Sequence, residues 1–321
     1  MDEILRIEHL KKYFIKKHLF SSQVSTVKAA DDISFSLNKG EVFVLAGESG
    51  SGKSTIAKLI LKSIIADSGK IIFEGHEIGN DKKSLEKIRM NCQMIHQDPY
   101  DSINPRMKIL DIVSEPLEIH KIGDSKLRKK RVLEVLKEVK LEPSEEIIKK
   151  YPHMLSGGQR QRVVLARALA IKPKIIVADE PVSMLDVSIR AEMLELMGDL
   201  QKKYEISFIY ITHDLATARY FGKHIGILYL GKIVEIGKID DVLLRPKHPY
   251  TQALIDAISE PDPNNLNKEK KIRIKEPSEI NVYEGCRFRA RCPYVIDKCV
   301  VEPELKSTED DHAFACYVNL D

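Results

Sequence analysis

Apolar positions in this chain form two patterns: short unbroken runs and longer stripes at helical spacing. Ile4 to Ile7 opens a strand, residues 27–37 read as a strand pair broken at Asp31-Asp32, and residues 15–26 between them read as a polar hairpin or loop. After the Lys39-Gly40 turn, Glu41-Val42-Phe43-Val44-Leu45-Ala46 is a short, mostly apolar strand. Further strands are predicted at 71–75, 94–100, 175–178, 206–212, 224–229 and 232–235, the last two joined by Leu230-Gly231. Continuous apolar runs fit strands buried on both faces of a parallel sheet. Helical spacing appears at Ile56, Leu59 and Ile60, and at Leu127, Val132, Leu133, Leu136 and Val139, with Ser125 as the cap. It returns at Ile189, Met193, Leu196, Met197 and Leu200. The pattern predicts an α/β fold: a parallel-sheet core, an antiparallel N-terminal portion and a helical insert over about residues 103–150.

Chemistry-bearing residues stand where these elements begin and end. The strand at 41–46 runs into Gly47-Glu48-Ser49-Gly50-Ser51-Gly52-Lys53-Ser54-Thr55, and a helix follows. Strand, Gly-x-x-x-x-Gly-Lys-Ser and helix is the context a phosphate-binding P-loop requires. Its glycines let backbone N–H groups wrap phosphate oxygens, Lys53 offers a charge to the β- and γ-phosphates, and the Ser54 hydroxyl suits Mg²⁺. Leu155-Ser156-Gly157-Gly158-Gln159 predicts a helix start, with Ser156 as its cap and free N–H groups suited to an anion. The run 175–178 ends in Asp179-Glu180, where open α/β sheets bind ligands. Neighbouring strand residues point opposite ways, so the two carboxylates should differ in task. Asp179 would hold Mg²⁺ and Glu180 would polarise an attacking water. Gln97 at one strand exit could reach Mg²⁺ and that water, and His213 leaves the same sheet edge as Asp179.

Composition narrows the class. At 321 residues, 43% hydrophobic and 31% charged, the chain has room for one large globular domain and a small one. A formal net charge of +3 implies no nucleic-acid partner. The basic run Arg128-Lys129-Lys130-Arg131 reads as the wet face of a helix, with contact to anionic lipid headgroups as the alternative. No apolar run approaches the roughly 18–20 residues that span a bilayer. The N-terminus shows no signal-peptide pattern, and cysteine usage points to the cytoplasm.

Four of the five cysteines, Cys286, Cys292, Cys299 and Cys316, lie in the last 36 residues, after a linker rich in Pro, Asn and Lys at about 255–281. Such a set staples a small domain that lacks much core. Structural zinc sites usually show Cys-x₂₋₄-Cys pairs, which are absent here. Disulfides are disfavoured in a mesophilic cytosol. Four thiolates are also the number that holds an iron–sulfur cluster.

Taken in order, these motifs resemble the ATP-binding subunit of an ABC transporter, over nearly the whole chain. Gly47 to Thr55 matches Walker A, Gln97 the Q-loop and Leu155 to Gln159 the signature. The run 175–180 matches Walker B, Ser183-Met184-Leu185-Asp186 the D-loop, and His213 the H-loop. Leu10-Lys11-Lys12-Tyr13-Phe14, Gln97-Asp98-Pro99-Tyr100 with Asn104-Pro105-Arg106, and His248-Pro249-Tyr250-Thr251 are similar to the oligopeptide/dipeptide importers, the N-terminal piece more to their F-type than their D-type subunit. The resemblance implies a P-loop NTPase fold of the ABC-ATPase type: an ATPase domain over 1–255 with a helical subdomain at about 99–166, then a linker and small Cys-rich domain over 256–321.

It implies that Tyr13 stacks on adenine, and that Gly47, Ser49, Gly50, Ser51, Gly52, Lys53, Ser54 and Thr55 hold the phosphates. Ser54, Gln97 and Asp179 would hold Mg²⁺; Glu180, His213 and Gln97 would serve catalysis. Two chains would sandwich two ATPs, so that Ser156, Gly157, Gly158, Gln159 and Asp186 act on the partner's nucleotide. Partners implied are a second ATPase chain (a D-type subunit or a copy of itself), two membrane-spanning permeases that meet the region 97–106, and an extracytoplasmic binding protein. The location implied is the cytoplasmic face of the membrane. In some similar subunits the cysteine tail holds a [4Fe–4S] cluster, which here would use Cys286, Cys292, Cys299 and Cys316. Relatives also serve oligosaccharides or nickel, and a soluble ABC ATPase without a transport role is the rival class. Two positions depart from the family pattern: Met184 replaces alanine, which would loosen D-loop packing across a dimer, and His96 replaces phenylalanine.

Overall fold

The computed structural model describes residues 2–17, 24–257, 283–308 and 311–318. Residues 18–23 of the expected loop at 15–26, and the expected linker from residue 258 on, lie outside the described residues, while 15–17 and 24–26 extend the strands Glu3–Lys17 and Val24–Asn38 instead of forming a loop. The chain divides into two compact units: one is Met1–Ile4, Leu37–Glu41 and Ile78–Tyr210, the other Leu5–Ser36, Val42–Glu77 and Ile211–Asp321.

The second unit holds the predicted antiparallel portion. The strands Val24–Asn38, Glu3–Lys17, Ser68–Phe73 and His76–Glu77 lie side by side in that order. Leu5 pairs with Phe73 and Ile7 with Ile71, and the register shifts between Glu8 and Lys11. Asp31-Asp32 does not break its strand: Val24–Asn38 is one element, and Asp32 absorbs the irregularity with a φ of +66°. An aspartate tolerates that left-handed conformation better than most residues. Beside this sheet, Phe35 stacks on Phe43, with ring centroids 4.4 Å apart.

The same unit carries the strand that leads into the P-loop. Val42–Ala46 is buried at every position and pairs parallel with His224–Tyr229, Phe43 opposite His224 and Ala46 opposite Ile227. The chain returns antiparallel along Lys232–Lys238. The turn between them puts Leu230 and Gly231 at φ +45° and +81°, the twist a tight two-residue hairpin demands. The tail then adds Ala313–Phe314 and Lys306–Ser307 beyond Lys232–Lys238, with Glu235 opposite Phe314.

Glu235 is wholly buried, and its carboxylate is satisfied from three sides. The backbone N–H groups of Lys247 and His248 donate to it at 2.7 and 3.0 Å, and His312 Nε2 lies 2.7 Å away. His248, also buried, is pushed down to about pKa 4 by desolvation. Its Nδ1 accepts from the N–H of Tyr250 at 3.1 Å, which requires an unprotonated nitrogen. The folded pKa lies below the unfolded value of 6.5, so this contribution is complete above pH 6.5 and is lost as pH falls toward 4. Chemical denaturation of the wild type should be flat in this respect above pH 6.5 and lose up to about 3 kcal/mol by pH 4. His248→Gln should remove that part of the slope; an unchanged slope refutes the assignment.

The first unit holds the strands Cys92–Ile95 and Ile175–Asp179, paired parallel with Cys92 opposite Ile175 and Ile95 opposite Ala178. Ser207–Thr212, as far as Tyr210, flanks Ile175–Asp179 on its other side. Both Ile175–Asp179 and Ser207–Thr212 are buried throughout, as their continuous apolar runs predict. The helical insert is present as Pro99–Ser102, Ile109–Ile119, Ser125–Glu138, Ser144–Ile147 and Gly157–Leu169.

Further details differ from the sequence expectation, and the strand expected over 94–100 ends at Ile95, before the helix Pro99–Ser102. Asp124, not Ser125, caps its helix, its carboxylate accepting from the N–H of Leu127 at 2.8 Å. An anionic oxygen is the stronger acceptor for a helix start, and Asp124 has the extended conformation a cap requires. Arg131 is not on a wet face. Its guanidinium donates to the carbonyls of Ala170 and Leu169 at 3.1 and 3.0 Å, closing the C-terminal end of Gly157–Leu169. Among the described residues no helix is long and apolar enough to cross a membrane.

Candidate nucleotide site

The P-loop in the second unit is shaped by its glycines. Gly47 and Gly52 sit at φ +151° and +110°. A Cβ on Gly47 would lie 2.2 Å from the carbonyl oxygen of Leu228, and one on Gly52 2.0 Å from that of Ala29. Only glycine fits either position. Gly52 precedes the helix Lys53–Ile60, which begins with no side-chain cap. An N-terminus of that kind leaves its first N–H groups for an anion. Lys53 is buried; its ammonium donates to the carbonyls of Gly47 and Glu48 at 2.7 and 2.8 Å and approaches Ser51 Oγ at 3.5 Å. Ser49, Gly50 and Ser54 are exposed, and Thr55 is half-buried.

Residues distant in sequence brace this loop. The Glu48 N–H donates to Tyr250 Oη at 2.9 Å, and the Glu48 carboxylate takes a two-pronged ion pair from Arg291 at 2.8 and 3.0 Å. The N–H of Gly231 donates to the Ser51 carbonyl at 2.7 Å. Tyr13 is half-buried and its hydroxyl donates to Asp31, which also pairs with Arg287. Desolvation, then that bond to Asp31, pushes the Tyr13 hydroxyl up to about pKa 12. Lys28 Nζ stands 5.6 Å from the Tyr13 ring centroid. His213 is exposed at the end of Ser207–Thr212, and the next residue, Asp214, caps Leu215–Phe221 through the N–H groups of Ala216 and Thr217.

In the first unit the signature starts a helix as predicted. Ser156 Oγ accepts from the Gln159 N–H at 3.3 Å, and Gln159 Oε1 accepts from the Ser156 N–H at 3.0 Å. This reciprocal box fixes the first turn of Gly157–Leu169. A Cβ on Gly157 would meet nothing within 4 Å, whereas one on Gly158 would lie 2.7 Å from Ile189 Cγ2. Gly158 is therefore required by packing inside the unit, and Gly157 leaves open space above the turn. The Arg160 guanidinium lies 4.0 Å from the centroid of the Tyr100 ring, and Arg167 donates to the Ser102 carbonyl at 2.6 Å. These contacts bind the segment after Gln97 to the signature helix.

The acidic strand end separates its two carboxylates by backbone geometry. Asp179 closes Ile175–Asp179 and is buried. Glu180 turns away at φ +47°, a left-handed conformation that non-glycine residues rarely adopt, and is half-buried. Gln97 Nε2 donates to Glu180 Oε2 at 3.0 Å, and Ser183 Oγ donates to the Glu180 carbonyl at 3.0 Å. Asp186 is exposed and begins Val187–Tyr204 without a side-chain cap bond; Met184 is exposed beside it.

The four tail cysteines line one narrow cavity, together with His248, Phe288 and Tyr317. None of the four is in a disulfide. Burial pushes the Cys286 thiol up to about pKa 12, and the other three cysteines act on it electrostatically. Among the described residues, no group of three or more His, Cys, Asp or Glu is arranged to hold a metal ion. Four thiols lining one cavity are the donor chemistry that an iron–sulfur cluster takes.

The sequence comparisons bear on the same residues. A family model described as "ABC transporter" matches residues 30–183. The oligopeptide transport ATP-binding protein AppF of Bacillus subtilis is 40% identical over 323 residues, covering 99% of this chain and 98% of that protein. The chain is an ABC transporter ATPase. A second model, "Oligopeptide/dipeptide transporter, C-terminal region", matches residues 234–299 of it. A probable peptide ABC transporter ATP-binding protein, y4tS, of Sinorhizobium fredii is 42% identical, covering 99% of this ATPase and 90% of that protein. Among solved structures, the ATP-binding cassette MJ0796, a dimer bound to ADP and Pi, superposes with a TM-score of 0.64 at 30% identity. It covers 74% of this ATPase and 99% of that chain.

The sequence reading missed the bracing residues. Arg287 and Arg291 had no part in it, Asp31 entered only as an expected strand break, and Tyr250 only as a subfamily match. No local spacing signals a contact between Glu48 and Arg291, which are 243 residues apart.

Proposed function

We propose that this ATPase powers import of di- or oligopeptides as a peripheral subunit on the cytoplasmic face of a membrane transporter. The carrying observation is the full-length match to an oligopeptide transport ATP-binding protein, joined to a C-terminal region of the same transporter class. In this reading residues 1–255 form the ATPase domain and residues 256–321 the linker and Cys-rich part. Gly47 to Thr55 wrap the phosphates, Lys53 takes the β- and γ-phosphates, and Tyr13 stacks on adenine. Ser54, Asp179 and Gln97 hold Mg²⁺, which when bound offsets phosphate charge.

Glu180 orients the attacking water, positioned by Gln97, while His213 contacts the γ-phosphate. Ser156, Gly157, Gly158, Gln159 and Asp186 serve the nucleotide of a second ATPase chain, either a D-type subunit or another copy. Two permeases and an extracytoplasmic binding protein complete the assembly. Such sites work by positioning and electrostatics, so small misplacements are costly. The thiols of Cys286, Cys292, Cys299 and Cys316 hold a [4Fe–4S] cluster that staples the tail, with no redox step assigned to it.

The test is reconstitution of the ATPase with its permeases and binding protein in liposomes. Peptide should stimulate ATP hydrolysis; stimulation by an oligosaccharide or nickel instead would overturn the peptide reading. Anaerobically purified protein should contain four iron and four sulfide per chain. Colourless protein, or zinc in place of iron, removes the cluster.

A further inference from the structure

The P-loop of this ATPase is gripped by the segment that carries the tail cysteines. We propose that Arg291 and Arg287 are positioning residues of the nucleotide site, through which the cysteine-bearing segment sets the affinity for ATP. The inference rests on the nucleotide-site reading above.

Three observations carry it. First, Glu48 lies inside the phosphate loop, and both its polar ends are held by the C-terminal region. Tyr250 takes its N–H at 2.9 Å, and Arg291 takes both carboxylate oxygens at 2.8 and 3.0 Å. A two-pronged guanidinium–carboxylate pair fixes orientation as well as distance. The pair is backed by a packed aromatic cluster: Tyr229 and Tyr250 centroids are 4.5 Å apart, and Phe288 lies 5.4 and 5.5 Å from them.

Second, Arg287 secures the other side of the site. It is buried and pairs with Asp31, the acceptor of the Tyr13 hydroxyl, and donates to the Leu230 carbonyl. The adjoining Gly231 N–H donates to Ser51 in the phosphate loop, and the Gly231 carbonyl accepts from Asp31. One arginine thus contacts the loop at Glu48, and the other acts on it indirectly, through the Leu230-Gly231 turn on Ser51 and through Asp31 on Tyr13.

Third, the arginines directly adjoin two cysteines. Arg287 follows Cys286 and Arg291 precedes Cys292. The turn between them is internally bonded: Arg289 donates to the Cys286 carbonyl, and Arg291 and Cys292 both donate to that of Phe288. Whatever ties Cys286 and Cys292 together therefore fixes where both guanidinium groups stand.

Charge gives the contact a sign. Glu48 puts a carboxylate in a loop built for anions, and Arg291 cancels it. Without Arg291 the carboxylate repels the phosphates and is free to pull the loop away. Removing both charges should harm less than removing Arg291 alone.

The experiment measures MgATP affinity of the full chain with a fluorescent ATP analogue, alongside hydrolysis at saturating ATP and iron content. Arg291→Gln should weaken binding about tenfold, with saturated turnover within about twofold of wild type. Arg291→Lys, which keeps the charge but not the fork, should weaken it about threefold. Glu48→Gln combined with Arg291→Gln should recover most of the loss, with iron content unchanged throughout. Equal affinity in Arg291→Gln and wild type, or a double variant weaker than Arg291→Gln, overturns the proposal. Lys53→Ala is the control for the site itself. If it binds ATP like wild type, the nucleotide-site reading fails; if it does not bind while Arg291→Gln binds normally, only the positioning role fails.

Discussion

Glu180→Gln binds MgATP with wild-type affinity and does not turn it over: this is the first expected result. The side chain leaves Ile175–Asp179 through a φ of +47°, so its carboxylate is placed by the backbone and not by rotamer choice alone. Gln97 donates to it at 3.0 Å, and the Ser183 hydroxyl fixes the Glu180 carbonyl at 3.0 Å. Glutamine keeps the volume and one amide oxygen, so the backbone and the Gln97 contact survive. What is lost is the negative charge that, in the proposed role, orients a water and accepts its proton. General-base removal costs about 10²–10⁴ in rate. Single-turnover and steady-state hydrolysis, measured beside equilibrium binding, check the split. Normal turnover in the variant removes Glu180 from its role; loss of binding as well would make it part of the nucleotide cradle.

Much of this site is legible without coordinates because its rules are local. Ser156 and Gln159 are three residues apart and form the reciprocal cap that the spacing predicts. Two glycines of the loop, Gly47 and Gly52, are required by contacts that no side chain tolerates, such as the 2.2 Å approach of the Leu228 carbonyl to a Cβ at Gly47. Continuous apolar runs give the buried strands Val42–Ala46 and Ile175–Asp179. The errors are also local, and small: a cap shifted from Ser125 to Asp124, and a strand that passes through Asp32 where a break was expected. A charge run looks the same whether or not one member reaches the end of another helix, as Arg131 does.

What the sequence hides is long-range pairing of charged residues. Asp31 with Arg287 and Glu48 with Arg291 are separated by more than 240 residues, and each partner alone reads as an ordinary surface charge. Only the fold brings the pairs together. Burial gives the Asp31–Arg287 pair weight, since a charge left without its partner costs most where water is excluded, whereas the Glu48–Arg291 pair is half-exposed and acts through its two-pronged geometry.

Lys53→Ala should abolish ATP binding while leaving the protein folded. The ammonium is buried and makes two bonds of 2.7 and 2.8 Å to loop carbonyls, so it holds the loop in addition to its proposed role of offering charge to phosphate. Alanine removes a charge-assisted contact to the ligand and leaves the Gly47 and Glu48 carbonyls without that donor. Truncating one partner of a desolvated charge pair costs about 2–5 kcal/mol, which is a loss of roughly thirty- to several-thousand-fold in affinity. Lys53→Arg should not rescue it: the fork is wider than an ammonium, and the loop closes on a point charge through three acceptors, Gly47, Glu48 and Ser51. The fold has other supports. The strand Val42–Ala46 and the helix residues Ile56, Leu59 and Ile60 remain buried whatever stands at position 53. Circular dichroism and the denaturation midpoint should therefore move little, and calorimetric titration with MgATP should show no binding. Retained binding within about threefold of wild type would remove Lys53 from the phosphate site, and the nucleotide-site reading would fall with it.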